Sequence, residues 1–141
     1  MERAVFDRMA ELDGEHWWFV ARRRILASLI KRVVQTRKGA RILEVGCGTG
    51  HNLVMLGEFG ALDACELDST TRELASLRLG RPVLEAKLPD LSMFPADKFD
   101  MIALLDVLEH VTDDKSSLKS IMKRLKPVSY THLTLPTKRI V

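Results

Sequence analysis

The sequence predicts an α/β protein: the N-terminal half of a doubly wound parallel sheet of about four strands, preceded by two helices. Three observations carry that expectation. Apolar residues recur with a helical period up to residue 35, and from residue 41 short apolar runs alternate with amphipathic stretches. The alternation has the spacing of right-handed βαβ units, which lay parallel strands side by side. A glycine-rich turn directly follows the first apolar run.

Residues 3–12 put Val5, Phe6, Met9 and Leu12 on one face of a short helix that ends near Gly14. From Trp18 to Gln35, the pairs Ile25-Leu26, Leu29-Ile30 and Val33-Val34 return every four residues, which predicts one apolar stripe with Arg and Lys outside it. Gly39 stops this helix, and the period then changes. Arg41 to Val45 reads as a strand, and Leu53, Leu56 and Phe59 share a helix face that Gly60 can terminate. Leu62 to Glu66 is the second strand. Thr70 to Glu73 has the form of a capping box, and Gly80 is placed to end the helix it opens. Pro82 to Ala86 is a third, weaker strand. Phe99 to Leu105 is a fourth and the most apolar, as suits a strand covered on both faces. Leu118, Ile121, Met122 and Leu125 then mark a helix capped by Thr112 or Asp113, with Pro127 beyond its end.

Length and composition bound the function. At 141 residues, 46% hydrophobic and 29% charged, the chain fits one soluble domain with one core. Cys47 and Cys65 form neither a redox pair nor a zinc set, so a reducing cytoplasm is the simplest setting. Apolar runs of about five residues fall far short of the ~20 that cross a bilayer, and no signal peptide precedes them. The net charge of +3 is uneven: residues 1–41 carry ten Lys/Arg against five Asp/Glu, and 42–127 carry ten against fourteen. Arg22, Arg23 and Arg24 occupy consecutive helical positions that fan around the axis, which favours a solvated face over a polyanion site, and no nucleic-acid partner is expected.

The chemistry concentrates at Glu44-Val-Gly46-Cys47-Gly48-Thr-Gly50, directly after a strand and opening a helix. Glycines permit a tight turn and let backbone amides approach a ligand, and a helix start favours a carboxylate or phosphate. A dinucleotide fingerprint needs a third glycine at position 51, where this sequence has His51. Twenty residues past Gly46, Glu66 stands at the end of the second strand, where an acid accepts hydrogen bonds from both ribose hydroxyls of an adenosine cofactor; a solvated strand end is the alternative. Asp106 ends the fourth strand, at the switch point where open sheets bind ligands.

The pattern Glu-x-Gly-x-Gly-x-Gly over Glu44 to Gly50 resembles motif I of class I S-adenosylmethionine (SAM) dependent methyltransferases. Phe99-Asp100 and Val107-Leu-Glu109-His110-Val111 are similar to a second segment of that family, and Glu15 to Phe19 before an Arg-rich helix matches its N-terminal side. The likeness runs from Glu15 to Pro127. It implies a Rossmann-like fold, SAM as methyl donor, and a loop of Gly46, Cys47, Gly48 and Gly50 around the methionyl part, fixed by Glu44. It also implies Glu66 on the ribose and Asp106 beside the methionine end. Many relatives carry an acid after strand three to read adenine; this chain has Lys87 there.

His110 is the candidate base for an acceptor that carries a proton, and a helix-start histidine bonded to backbone or to Glu109 is the alternative. No histidine spacing suits a metal. Cys47 and Cys65 read as packing residues, and Trp17, Trp18 and Phe19 as either a lid over the site or an apolar anchor. Three regions follow: a helical cap at 1–40, a partial SAM-binding domain at 41–127, and a tail at 128–141 that resembles a translated sequencing adapter. With half a sheet and that tail, the chain is expected to be a fragment. The expected function is methyl transfer to a small-molecule oxygen or carbon acceptor, since Asp106-Val-Leu-Glu109 lacks the Pro-Pro-Tyr run of amino-group methyltransferases. A non-catalytic SAM-binding module and an NAD-dependent oxidoreductase remain as alternatives, with His51 against the second.

Overall fold

The computed structural model describes residues 3–12, 14–34, 39–105, 107 and 110–127. Asp106 and the segment 128–141 lie outside the described residues. Helices α1 (Arg3–Leu12) and α2 (Trp17–Val34) precede strand β1 (Arg41–Val45). Then follow helix α3 (Leu53–Gly57), strand β2 (Ala61–Cys65), helix α4 (Ser69–Leu79), strand β3 (Met101–Ala103) and helix α5 (Asp114–Arg124).

β1 is the central strand, parallel to β2 on one side and β3 on the other. Ile42 lies beside Leu62 and Met101, and Glu44 beside Ala64 and Ala103. Four of its five residues are buried, because helices cover both faces of the sheet. Ile42, Leu62 and Ala64 pack against Leu53 and Leu56 of α3 and Ala75 of α4, with Leu26, Ala27 and Ile30 of α2 against the same cluster. Leu43, Val45 and Cys65 pack on the other side against Leu91, Phe94, Phe99 and Ile121 of α5. A fully buried leucine such as Leu43 contributes about 1.5–3 kcal/mol by leaving water.

The sheet is narrower than the four strands expected. The segment from Pro82 to Ala86 forms a single parallel bridge, Leu84 beside Cys65, instead of a strand. Pro82 has no amide hydrogen to offer, and the Val83 amide donates to Ser76 Oγ at 3.0 Å instead of to a ladder. The topology survives in that bridge, since Leu84 N donates to Ala64 O and Glu66 N to Leu84 O. The fourth expected strand is likewise reduced to Met101–Ala103. Before it, Phe99 bridges in parallel to Leu125. The Asp100 carboxylate accepts the Arg41 amide at 2.7 Å and the Lys126 ammonium, tying the start of β1 to the chain after α5.

Two local expectations change. The cap of α4 is Asp68, which accepts from the Thr71 amide at 2.9 Å, and not a box between Thr70 and Glu73. The apolar stripe of α2 is only partly inward: Leu26 and Ile30 reach the core, while Ile25 and Leu29 face solvent. Gly80 ends α4 in the left-handed conformation as expected, and Asp113 caps α5.

α1 lies against α4. Arg3 makes a bidentate ion pair with Asp68, at 2.8 and 3.0 Å, and Arg78 reaches the Ala10 carbonyl. Asp68 is thereby both the cap of α4 and the anchor of α1, and the Arg3 guanidinium holds its carboxyl well below the usual carboxylate range.

Candidate cofactor site

β1 and β2 end side by side, and the chain leaves β1 through Gly46 to Gly50. Gly46 and Cys47 donate their amides to the Cys65 carbonyl at 2.9 and 3.1 Å, which fastens the loop to the end of β2. The three glycines, all at positive φ, serve different ends. A Cβ on Gly46 would meet Val107 at 2.7 Å, so this glycine admits the segment after β3. A Cβ on Gly50 would lie 2.8 Å from Leu53 and 3.0 Å from the Ala75 backbone, so this one brings α4 close. A Cβ on Gly48 would meet nothing within 4 Å. Gly48 therefore borders open space, where a ligand can approach the loop backbone.

Glu66, the residue after β2, reaches back over the loop. Its Oε2 accepts the Gly48 amide at 2.6 Å, and its Oε1 accepts the Leu67 and Asp68 amides at 3.0 and 3.2 Å. Arg72 secures the same turn by donating to the Glu66 and Leu67 carbonyls. The acid at the strand end and the glycine loop thus form one bonded unit.

Glu44 lies within β1 and is buried. Burial pushes its carboxyl up to about 8, against the stabilising hydrogen bond of Asn52 and with a further push from the Glu66 charge. Among the described residues its Oε2 has no hydrogen-bond partner. Near neutrality the group is mostly protonated, a neutral acid beneath the loop. Cys47 turns its side chain into the core, and burial raises its thiol far above the ordinary value. Cys65 is raised to about 12 by the same cause. Neither thiol is poised as a nucleophile, so Cys47 can meet a cofactor only through its backbone.

The start of α2 comes to the same loop. Arg23 donates to the His51 carbonyl at 3.4 Å, and Phe19 meets the His51 ring edge-to-face at 5.6 Å. Of the aromatic trio, Phe19 is thus the anchor, whereas Trp17 and Trp18 remain exposed. The contacts of Phe19 and Arg23 with position 51 were not read from the sequence, where only a general lid or anchor is legible. His110 is exposed in the turn after β3, its amide bonded to the Val107 carbonyl. Lys87 is exposed, and its carbonyl accepts the Asp90 amide. Among the described residues no cluster of His, Cys, Asp and Glu could hold a metal.

A parallel sheet whose central strand feeds a glycine loop, with an acid at the end of the next strand, defines a nucleoside-cofactor-binding α/β domain. The family is narrower than that class. A family model described as a methyltransferase domain matches residues 18–140, and the chain belongs to that family. The match takes in most of the segment 128–141. A curated relative, the ubiquinone biosynthesis O-methyltransferase of Idiomarina loihiensis, is 33% identical over 63% of this chain and 39% of its own length. The chain therefore spans about two fifths of the curated relative it matches. A candidate SAM-dependent methyltransferase from Methanococcus maripaludis superposes with a TM-score of 0.74 at 15% identity, over 86% of this chain and 57% of that one. The sugar N-methyltransferase KedS8 of Streptoalloteichus gives 0.59 at 29% identity, over 72% and 43%.

Proposed function

We propose that this chain forms the cofactor-binding half of a SAM-dependent methyltransferase acting on a small-molecule acceptor. The observation that carries the reading is the Glu66 carboxylate bonded to the Gly48 amide at 2.6 Å, beside the open face of that glycine. A carboxylate has about four lone-pair sites, and Glu66 fills three of them with amides, so it can keep these and still accept from one ribose hydroxyl. Glu44 acts as a buried neutral support for the loop, and Gly46 and Gly50 set its shape against Val107 and Ala75. Cys47 contributes backbone only, and Asp106 is assigned to the methionine end.

SAM, when bound, supplies a methyl group already activated for displacement. What remains for the chain is to align the acceptor and strip water from its nucleophilic atom. His110 is assigned as the base where the acceptor carries a proton. The names of the relatives support a small-molecule acceptor, one an O-methyltransferase of ubiquinone biosynthesis and one a sugar N-methyltransferase. The Asp106-Val-Leu-Glu109 sequence favours oxygen or carbon over nitrogen. Among the described residues no helix is long and apolar enough to cross a membrane, which agrees with a cytoplasmic enzyme.

Titration calorimetry with SAM, S-adenosylhomocysteine and NAD tests the reading. Binding of the first two and not the third is expected. Micromolar binding of NAD with none of SAM would overturn it.

A further inference from the structure

The outward face of α2 gathers several exposed apolar side chains. Trp17 is 73% exposed, Trp18 45%, Ile25 62% and Leu29 37%, while the inward face carries Leu26, Ala27 and Ile30. At 3.6 residues per turn, Trp18, Ile25 and Leu29 form one outward stripe, with Ala21 and Ser28 alongside. No described residue covers that stripe to the extent of burying it. The helix carries five cations, Arg22, Arg23, Arg24, Lys31 and Arg32, and no acid. Arg24, Lys31 and Arg32 are exposed, and Arg22 lies over the Trp18 ring at 5.3 Å.

Apolar side chains flanked by cations along one helix face suit an anionic bilayer surface. Tryptophan rings settle at the headgroup boundary, and each Lys or Arg near an anionic leaflet adds attraction. We propose that α2 is a membrane-docking helix that seats Trp17, Trp18, Ile25 and Leu29 at the headgroups of an anionic bilayer, with Arg24, Lys31 and Arg32 on the phosphates. The charge of the helix selects this occupant over a neutral apolar one. The end that carries the tryptophans is also the end that meets the glycine loop through Phe19 and Arg23. Docking would bring the cofactor site to the lipid surface. The inference concerns the helix alone and stands apart from the identity of the cofactor.

The chain contains two tryptophans, both in this face, so intrinsic fluorescence reports on it directly. The full chain is mixed with vesicles of phosphatidylcholine, and with vesicles that also contain phosphatidylglycerol, and flotation and tryptophan emission are read. Expected are co-flotation with the anionic vesicles only, a blue shift, quenching by brominated lipid, and loss of binding in high salt. Neutralising the three cations together, Arg24→Gln, Lys31→Gln and Arg32→Gln, should weaken partitioning by about a hundredfold, on the scale each cation contributes at such a surface. Ile25→Ser with Leu29→Ser should abolish the residual binding, with circular dichroism confirming the fold. Equal binding to both vesicles, no blue shift with the wild-type chain, or unchanged binding of the folded variants would overturn the proposal. So would a lipid-free, concentration-dependent blue shift, which would assign the face to a second copy. Should the variants not fold, the wild-type emission in the two vesicle types decides alone.

Discussion

The Glu66 carboxylate grips the Gly48 amide at 2.6 Å, joining residues eighteen apart in sequence at the point where β1 and β2 end. The same side chain caps the Leu67 and Asp68 amides, so the loop and the turn into α4 share one acceptor. Removing it should affect ligand and loop together. Glu66→Ala is expected to weaken SAM binding by about 1.5–3 kcal/mol, the scale of hydrogen bonds to a charged group. Calorimetry on the folded variant checks this, and an affinity within twofold of wild type would refute the ribose role.

The glycines of the loop should separate by phenotype. Gly50→Val places a side chain on Leu53 and the Ala75 backbone and is expected to lower the unfolding midpoint markedly. A Cβ at position 48 meets nothing within 4 Å, so Gly48→Val should cost chiefly the strain of its positive φ, about 1–3 kcal/mol. Its larger effect should be on SAM affinity, because the added group enters the open face. Urea unfolding and calorimetry on both variants distinguish the two. Equal loss of stability with Gly48→Val binding SAM normally would contradict the assignment.

Glu44 predicts a pH dependence with a definite sign. Its carboxyl is raised in the folded state, from an ordinary 4.5 to about 8, so the folded chain holds a proton that the unfolded chain has released. The resulting contribution is complete below about 4.5 and is lost as pH rises toward about 8. Glu44→Gln should therefore unfold with a flatter pH profile across that window and lose less stability by pH 8. Denaturant midpoints at acidic, neutral and mildly alkaline pH provide the check. A parallel fall in both proteins would mean that Glu44 does not titrate there.

Arg3 and Asp68 predict a detachable α1. Arg3→Ala should speed amide exchange in α1 and leave α4 protected, because the Asp68 cap on Thr71 survives. Asp68→Ala should loosen both helices. Lowering pH through the depressed titration of Asp68 should move the protein toward the Asp68→Ala pattern, because the Arg3 pair and the Thr71 cap bond both favour the ionised carboxylate. Hydrogen exchange read by mass spectrometry reports each helix separately.

The order of elements was legible because burial writes itself into sequence. β1, buried on both faces, shows as Ile42-Leu43, and α4 shows its end at Gly80. Less legible were features that depend on competition between partners. Ser76 takes the Val83 amide, so an apparent strand shrinks to the bridge at Leu84. Asp68 outcompetes Thr70 as a cap because its carboxylate already lies at the Thr71 amide and is held there by Arg3, 65 residues away. At the candidate site, motif spacing singled out Glu44, Gly48 and Glu66, whereas the burial that raises the Glu44 carboxyl needed three dimensions. Phe19 and Arg23 escaped notice as partners of position 51 because nothing in a helix period says which loop its first turn will touch.

The parallel bridge between Phe99 and Leu125 ties the exit of α5 to the segment that enters β3. Phe99 N donates to Arg124 O and Lys126 N to Phe99 O, so the backbone emerging from α5 is clipped beside the foot of β3 with its direction already chosen. At this edge the run of Leu125 and Lys126 beside Phe99 is set by backbone hydrogen bonds, and so is indifferent to which side chains those positions carry.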